Sequence, residues 1–293
     1  QTSRLREWLC EVRWDVFFDD QHSDIPAILT QLIEECSEVR IFRHADVSDT
    51  ARAPKHRLFR SKKPVARVTK VPILRGRHDI DSNFDLLEYC CEHPLDRAYD
   101  TWVSLETCSE HLKKWTLSSG DYFCIQPGAA NGAQTPKTWH PDNFVTLAQQ
   151  LVDIFGVKVV LVGDTGDQEH IISKREWPAE VINTAGCTTI EELGTLIGDA
   201  GCVIAHDSGV MHLANAMGVP LVALYGPTDY TATRPLGEKS RILFSKTPAF
   251  AAMYCSDMSE KKLSEKYPNN QAMSGIKVDQ VISAIKTLLD VRG

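Results

Sequence analysis

The sequence predicts an α/β protein built on parallel, doubly wound sheets. Short apolar runs of strand length recur from residue 122 onward, at residues 122–125, 158–162, 202–205 and 220–225. Between them lie stretches with apolar residues at helical spacing. The runs are apolar without alternation, as strands are when helices cover both faces of a parallel sheet.

Taken in order, Val16-Phe17-Phe18 is a short strand ending at Asp19-Asp20. A helix follows at about residues 25–36, with Ile28, Leu29, Leu32 and Ile33 on one face, and residues 39–42 are a second strand. Residues 48–72 are rich in cations, including Arg52, Lys55, Arg57, Arg60, Lys62, Lys63, Arg67 and Lys70. They read as a solvated loop, with an electrostatic guide for an anion as the alternative. A helix is expected at about residues 80–90. The strand 122–125 leads to a helix over residues 143–155, where Phe144, Leu147, Ala148, Leu151, Val152 and Phe155 fall on one stripe behind Pro141. The strand 158–162 stops at Gly163, and Val181-Ile182 is another short strand. Thr189 and Glu192 form a capping box that opens a helix through Ile197. Strand 202–205, helix 209–217, strand 220–225 and a last amphipathic helix at about residues 279–289 complete the pattern. The expected division is 1–118 and 119–293.

The chain of 293 residues carries a formal net charge of −7, which argues against a general nucleic-acid binder but not against a local basic pocket. Its nine cysteines form no CxxC pair and several lie in apolar runs, so they read as reduced thiols in a reducing compartment, most simply cytoplasm. No apolar run reaches the ~20 residues that span a bilayer.

Ligands of such sheets bind beyond the carboxyl ends of the strands, which makes four turns candidates for a site. Residues 126–139 combine small residues, Gly128 and Ala130 among them, with a cation, Lys137; a surface lysine is the plain alternative. Residues 205–212 run from a strand through His206-Asp207-Ser208-Gly209 into a helix that includes His212. Free N–H groups there form an anion site, while Asp207 suits a helix cap. Residues 163–169 carry acidic groups, ending at Glu169, that suit ribose hydroxyls or simply a capped turn. Residues 225–229, Tyr-Gly-Pro-Thr-Asp, form a site wall or an ordinary turn. There is no GxGxxG or GxxxxGK[ST] loop, no HExxH or other paired metal-ligand spacing, and no GxSxG.

Together these turns resemble glycosyltransferase family 9, the ADP-heptose:lipopolysaccharide heptosyltransferases. The most specific stretch is DSGVMHLANAMGVPLVALYGPTDYTATRPLG, residues 207–237, followed by QPGAANGAQTPKTWHPDNF, residues 126–144. In the latter, Ala130 stands where the family has a hydroxyl residue. HDIDSNFDLL (78–87), AMSGIKVDQVISAI from Ala272 and WDVFFDDQHS (14–23) are weaker matches; Ala272 replaces a family cysteine, and Cys255 matches another.

The resemblance implies a GT-B architecture of two Rossmann-like doubly wound domains. The N-terminal one is expected to be truncated, because the family's opening strand and G-D-x-[LIV] turn do not precede Trp14. It implies inverting, metal-independent transfer of a sugar, heptose by family, from a nucleoside diphosphate to a lipopolysaccharide core or related glycan, with no cofactor beyond the ADP-sugar donor. Peripheral association with the cytoplasmic face of the inner membrane is compatible with it. In that reading Lys137 is catalytic and Gly128, Ala130, Glu169, Asp207, Ser208, Gly209 and His212 bind the donor. Lys137 and the amides of Ser208 and Gly209 would stabilise the leaving diphosphate, Asp207 would hold its turn, His212 would contact phosphate and Glu169 the ribose. Asp20 and His22 lie near the position of the family's general base, and neither is assigned that role. A catalytically silent nucleotide-sugar-binding protein of the same fold is the alternative, and a nucleotide-sugar epimerase is disfavoured by the DSGxxH and GPTD combination.

Overall fold

The computed structural model describes residues 16–19, 40–45, 67–72, 77–97, 99, 105, 107–129, 135–255 and 260–290. The chain divides into two compact units, residues 1–99 and 100–293.

In the first unit, strands β1 (Val16–Asp19), β2 (Arg40–Ala45) and β3 (Arg67–Pro72) form a parallel sheet in sequence order. β3 corrects the reading of residues 48–72 as loop throughout. Its cations obscured Val68, Thr69 and Val71, β-branched residues that favour a strand. The helix expected at 25–36, residues Asp20 and His22, and the rest of the basic run lie outside the described residues. Helix α1 (Asp79–Cys91) starts at His78, whose ring accepts from the Ile80 N–H at 3.2 Å. Arg97 ties the following segment back onto this helix through Asp81 at 3.3 Å, Asp85 at 2.7 Å and Glu88 at 2.6 Å.

The second unit is built on a six-stranded parallel sheet in the order β6-β5-β4-β7-β8-β9. The strands are β4 (Tyr122–Ile125), β5 (Lys158–Leu161), β6 (Val181–Asn183), β7 (Cys202–His206), β8 (Leu221–Tyr225) and β9 (Ser240–Phe244). The strand pleat sorts side chains into two layers. Phe123, Ile125, Val159, Leu161, Ile204 and Leu224 face helices α3 (Pro141–Phe155) and α10 (Val278–Asp290). Tyr122, Cys124, Val160, Val203, Ala205 and Tyr225 face α2 (Ser109–Lys113), α5 (Ile190–Gly198) and α6 (Gly209–Ala216). Burial on both faces is why these strands read as unbroken apolar runs.

Helix ends follow local chemistry. α3 begins with Pro141 behind His140, and ends at Gly156 with φ 66°, the left-handed conformation that glycine adopts without strain. α5 begins with the Thr189–Glu192 capping box, its hydroxyl accepting from the Glu192 N–H at 3.2 Å. Three further helices are short: α4 (Thr165–His170), α7 (Tyr230–Thr233) and α8 (Ala252–Cys255); α9 (Glu260–Lys266) precedes α10. The segment 105–117 belongs with the second unit. Leu105 packs against Gly194, and Leu112 and Leu117 join the layer that covers Tyr122. The division thus falls before Asp100 rather than at 118/119, because Leu112 and Leu117 ahead of β4 pack into this core.

Growth of the sheet reverses between β4 and β7: β5 and β6 lie on one side, β8 and β9 on the other. Ligands of doubly wound sheets bind at such a switch point, here beyond the carboxyl ends of β4 and β7. The core beneath must be close-packed to hold it. Leu151→Ala, in the fully buried stripe of α3, is expected to cost about 2–5 kcal/mol, read as a lower urea midpoint with an unchanged slope.

Candidate functional site

The site is built around the chain that leaves β4. It runs through Gln126, Pro127 and Gly128 and returns through Lys137, Thr138 and Trp139 into α3. Ala130 and residues 131–134 lie outside the described residues. The return is fixed by several bonds: Thr138 N–H to the Thr135 carbonyl at 2.9 Å, Asn270 Nδ2 to the Thr138 carbonyl at 2.7 Å, and Trp139 Nε1 to the Ile276 carbonyl at 3.1 Å.

His206, at the end of β7, joins the two limbs of this loop. Its Nε2 accepts from the Trp139 N–H at 2.9 Å, and its Nδ1 lies 2.8 Å from the Gly128 carbonyl oxygen. A backbone N–H can only donate, so Nε2 is the acceptor and Nδ1 carries the proton given to Gly128. The ring is fully buried and stands edge-on to Phe144 at 5.4 Å. Burial pushes its pKa down to about 4, against the opposing pull of the Gly128 bond and with a smaller push from nearby Lys137. It is therefore neutral at pH 7.

Lys137 is delivered next to Asp207, with Nζ 3.8 Å from Oδ2 and both side chains largely buried. Asp207 does not cap α6, the role its position suggested; the N-cap is Ser208, one residue later. The Ser208 hydroxyl makes no cap bond either. It donates to Gln126 Oε1 at 2.5 Å, bridging the ends of β4 and β7. Among the described residues, the backbone N–H groups of Ser208, Gly209 and Val210 donate to no protein acceptor. Gly209 is exposed, with open space where a side chain would stand. A cation and a helix N-terminus thus converge at the sheet's switch point, which favours an anion. His212 lies on α6 and is exposed.

The turn after β5 is a capped turn. Asp164 Oδ1 accepts from the Asp167 N–H at 2.8 Å, and Asp167 Oδ2 accepts from the Asp164 N–H at 3.2 Å. Asp167 is buried, and its Oδ1 has no partner among the described residues. Burial raises its pKa to about 6, opposed by the Asp164 N–H bond. This carboxyl also explains Gly128: a Cβ there would stand 1.6 Å from Asp167 Oδ1. The glycine makes room for an internal side chain, and its carbonyl serves His206. Glu169 is exposed on α4, and no bond or ion pair joins its carboxylate to the other site residues. In the turn after β8, Asp229 caps α7, accepting from the Thr231 N–H at 2.9 Å, while the buried Thr228 Oγ1 has no partner among the described residues.

The structure therefore gathers Gly128, Lys137, Asp207, Ser208 and Gly209 at one end of the sheet; among the described residues no bond ties Glu169 to them. Sequence reasoning missed His206, Gln126, Asp167 and Thr228 as site residues. All four lie in the candidate turns, but nothing local marks which polar residue is buried.

Comparison with known proteins bears on this arrangement. The model of glycosyltransferase family 9 (heptosyltransferase) matches residues 3–262. The chain belongs to glycosyltransferase family 9. Lipopolysaccharide heptosyltransferase 2 of Escherichia coli K12 is 39% identical over 151 residues, which are 48% of this chain and 43% of that protein. Lipopolysaccharide heptosyltransferase 3 of the same organism is 30% identical over 232 residues, 75% of this chain and 62% of that one. The match thus spans about half the length of these curated relatives. A solved family 9 glycosyltransferase from Veillonella parvula superposes with a TM-score of 0.67 at 22% identity, covering 98% of this chain and 78% of that one. An E. coli heptosyltransferase solved with ADP gives 0.60 at 18% identity, with 98% and 76% covered. The fold of this family 9 chain is accordingly α/β of the GT-B type. Among its described residues no helix is long and apolar enough to cross a membrane.

Two consequences are measurable. The folded pKa of His206 lies below its unfolded value, so its contribution to stability is complete above pH ~6.5 and is lost as pH falls toward 4. His206→Gln, which can keep both bonds but does not titrate, should remove that part of the pH dependence, on the order of 3 kcal/mol, in denaturant titrations from pH 4 to 7. Asp167 has the opposite sign. Its folded pKa is raised, so ionising it costs stability as pH rises from about 4 to about 6. Asp167→Asn should match the parent protein near pH 4 and exceed it by about 1–3 kcal/mol at pH 7.

Proposed function

We propose that this chain transfers a sugar from a nucleoside diphosphate donor to a lipopolysaccharide core acceptor, with inversion and without a required metal ion. Heptose and ADP are the donor parts named for its relatives and their solved complexes. The observation that carries the reading is the meeting of Lys137 with the α6 N-terminus, 3.8 Å from Asp207 at the carboxyl end of β7.

The acceptor oxygen forms a bond to the anomeric carbon while the bond from that carbon to the diphosphate oxygen breaks. The bonding pair leaves with the diphosphate, and the acceptor proton passes to a general base. Charge grows on the departing phosphate. Lys137 and the N–H groups of Ser208 and Gly209 are placed to stabilise it, the electrostatic task a metal ion performs in other sites. Asp207 orients the ammonium. His212, exposed on the same helix, is assigned to phosphate, and Glu169 to ribose. Gly128 carries no direct contact in this scheme; it shapes the loop that presents Lys137, with Ala130 beside it in sequence. An acceptor of this class is a membrane lipid, so peripheral association with the membrane face belongs to the proposal.

Lys137→Ala tests it. Loss of a charge-assisted phosphate bond should weaken ADP binding by about 1.5–3 kcal/mol, measured by calorimetry, and should slow transfer in the full-length protein, with EDTA leaving the parent rate unchanged. Equal affinity and equal rate would remove Lys137 from the mechanism. Binding without transfer would instead mark a protein that holds nucleotide-sugars.

A further inference from the structure

The geometry points to Gln126 as a positioning residue that keeps the start of α6 open for a diphosphate by diverting the Ser208 hydroxyl. The inference rests on the donor-binding reading above and adds a residue to it.

Serine is among the best helix N-caps because its oxygen accepts from an N–H one turn inside. Ser208 occupies that position with extended backbone, φ −157° and ψ 171°, yet caps nothing. Its hydroxyl is engaged elsewhere, donating to Gln126 Oε1. Gln126 is well placed to hold it. Its backbone N–H extends the ladder between β4 and β7, bonding the Ile204 carbonyl at 2.9 Å, and its side chain is more than nine-tenths buried. The amide nitrogen of that side chain has no partner among the described residues, so a second donor stands beside the same helix start.

Two states of Ser208 compete. With the hydroxyl turned inward, the helix satisfies one of its own N–H groups and a ligand must displace that bond. With the hydroxyl held by Gln126, the first-turn N–H groups keep their full capacity for an anion. The glutamine acts through Ser208 and has no need to touch the reacting atoms.

The test is calorimetric titration of the full chain with ADP. Gln126→Met keeps length and removes the acceptor; ADP affinity should fall about 3- to 30-fold, the range spanned by one cap bond. Removing the freed hydroxyl should then restore binding, so the double variant Gln126→Met with Ser208→Ala should bind several-fold more tightly than Gln126→Met alone. Gln126→Glu, which retains the acceptor but places a charge beside the phosphates, should weaken ADP without being rescued by Ser208→Ala. Unchanged affinity in Gln126→Met, or an equal loss in the single and double variants, would overturn the inference. Failure of the parent protein to bind ADP, or indifference to Lys137→Ala, would instead overturn the reading on which it rests.

Discussion

A neutral imidazole closed off from water holds the functional end of the second unit together. His206 ends β7, one of the two central strands, and commits one ring nitrogen to each limb of the loop that leaves β4. A loop of this length loses considerable entropy when its ends are fixed. Here one side chain, itself rigid on the sheet, fixes both Gly128 and Trp139. Lys137 lies two residues before Trp139, so its placement near Asp207 follows from that bridge more than from any contact the lysine makes alone. The tautomer matters as much as the position. Only a ring with its proton on Nδ1 can accept from Trp139 and donate to Gly128, and burial keeps it in that uncharged form.

The same region shows how polar groups are balanced inside a low-dielectric end of a sheet. Asp207 at 3.8 Å from Lys137 is a charge contact, longer than a hydrogen bond. It lowers the cost of holding the ammonium inside the protein and orients it, at the expense of adding a negative charge beside the proposed anion site. Asp167 is handled differently. No cation pairs with it among the described residues, and its carboxyl shifts toward the protonated form. Gly128 yields space to it, which couples the turn after β5 to the loop after β4 by steric fit.

Most of the second unit was legible in the sequence. Strands buried on both faces and helices with a single apolar stripe announce themselves, as Tyr122–Ile125 and Pro141–Phe155 did. β9 escaped because its five residues are all partly exposed at the sheet edge, where Arg241 interrupts the apolar run. β3 escaped because its cations dominated the pattern. At the site, the turns were legible and the roles within them were not. Asp207 looked like a cap, and the cap position belongs to Ser208; Gly128 looked like a ligand contact, and its missing side chain accommodates Asp167. Such distinctions depend on which strand lies beside which, and that is set by the reversal of sheet order between β4 and β7.

That reversal also shows how the proposed anion site could be assembled without a phosphate-loop motif. A P-loop gathers its donors within one short segment, so the sequence displays them together. Here the groups come from two strand ends: Gln126 and Lys137 from the outgoing and returning limbs of the loop after β4 that His206 secures, and Ser208 and Gly209 after β7. A helix whose serine diverts its hydroxyl away from its own N–H groups breaks a local rule, and breaches of this kind concentrate at functional sites. Two of the buried side-chain atoms without a partner among the described residues, Asp167 Oδ1 and Thr228 Oγ1, lie in the turns after β5 and β8, the strands that flank the central pair β4 and β7. A polar group left unsatisfied in a native interior calls for an explanation, and these two flank the switch point beyond which ligands of such sheets bind.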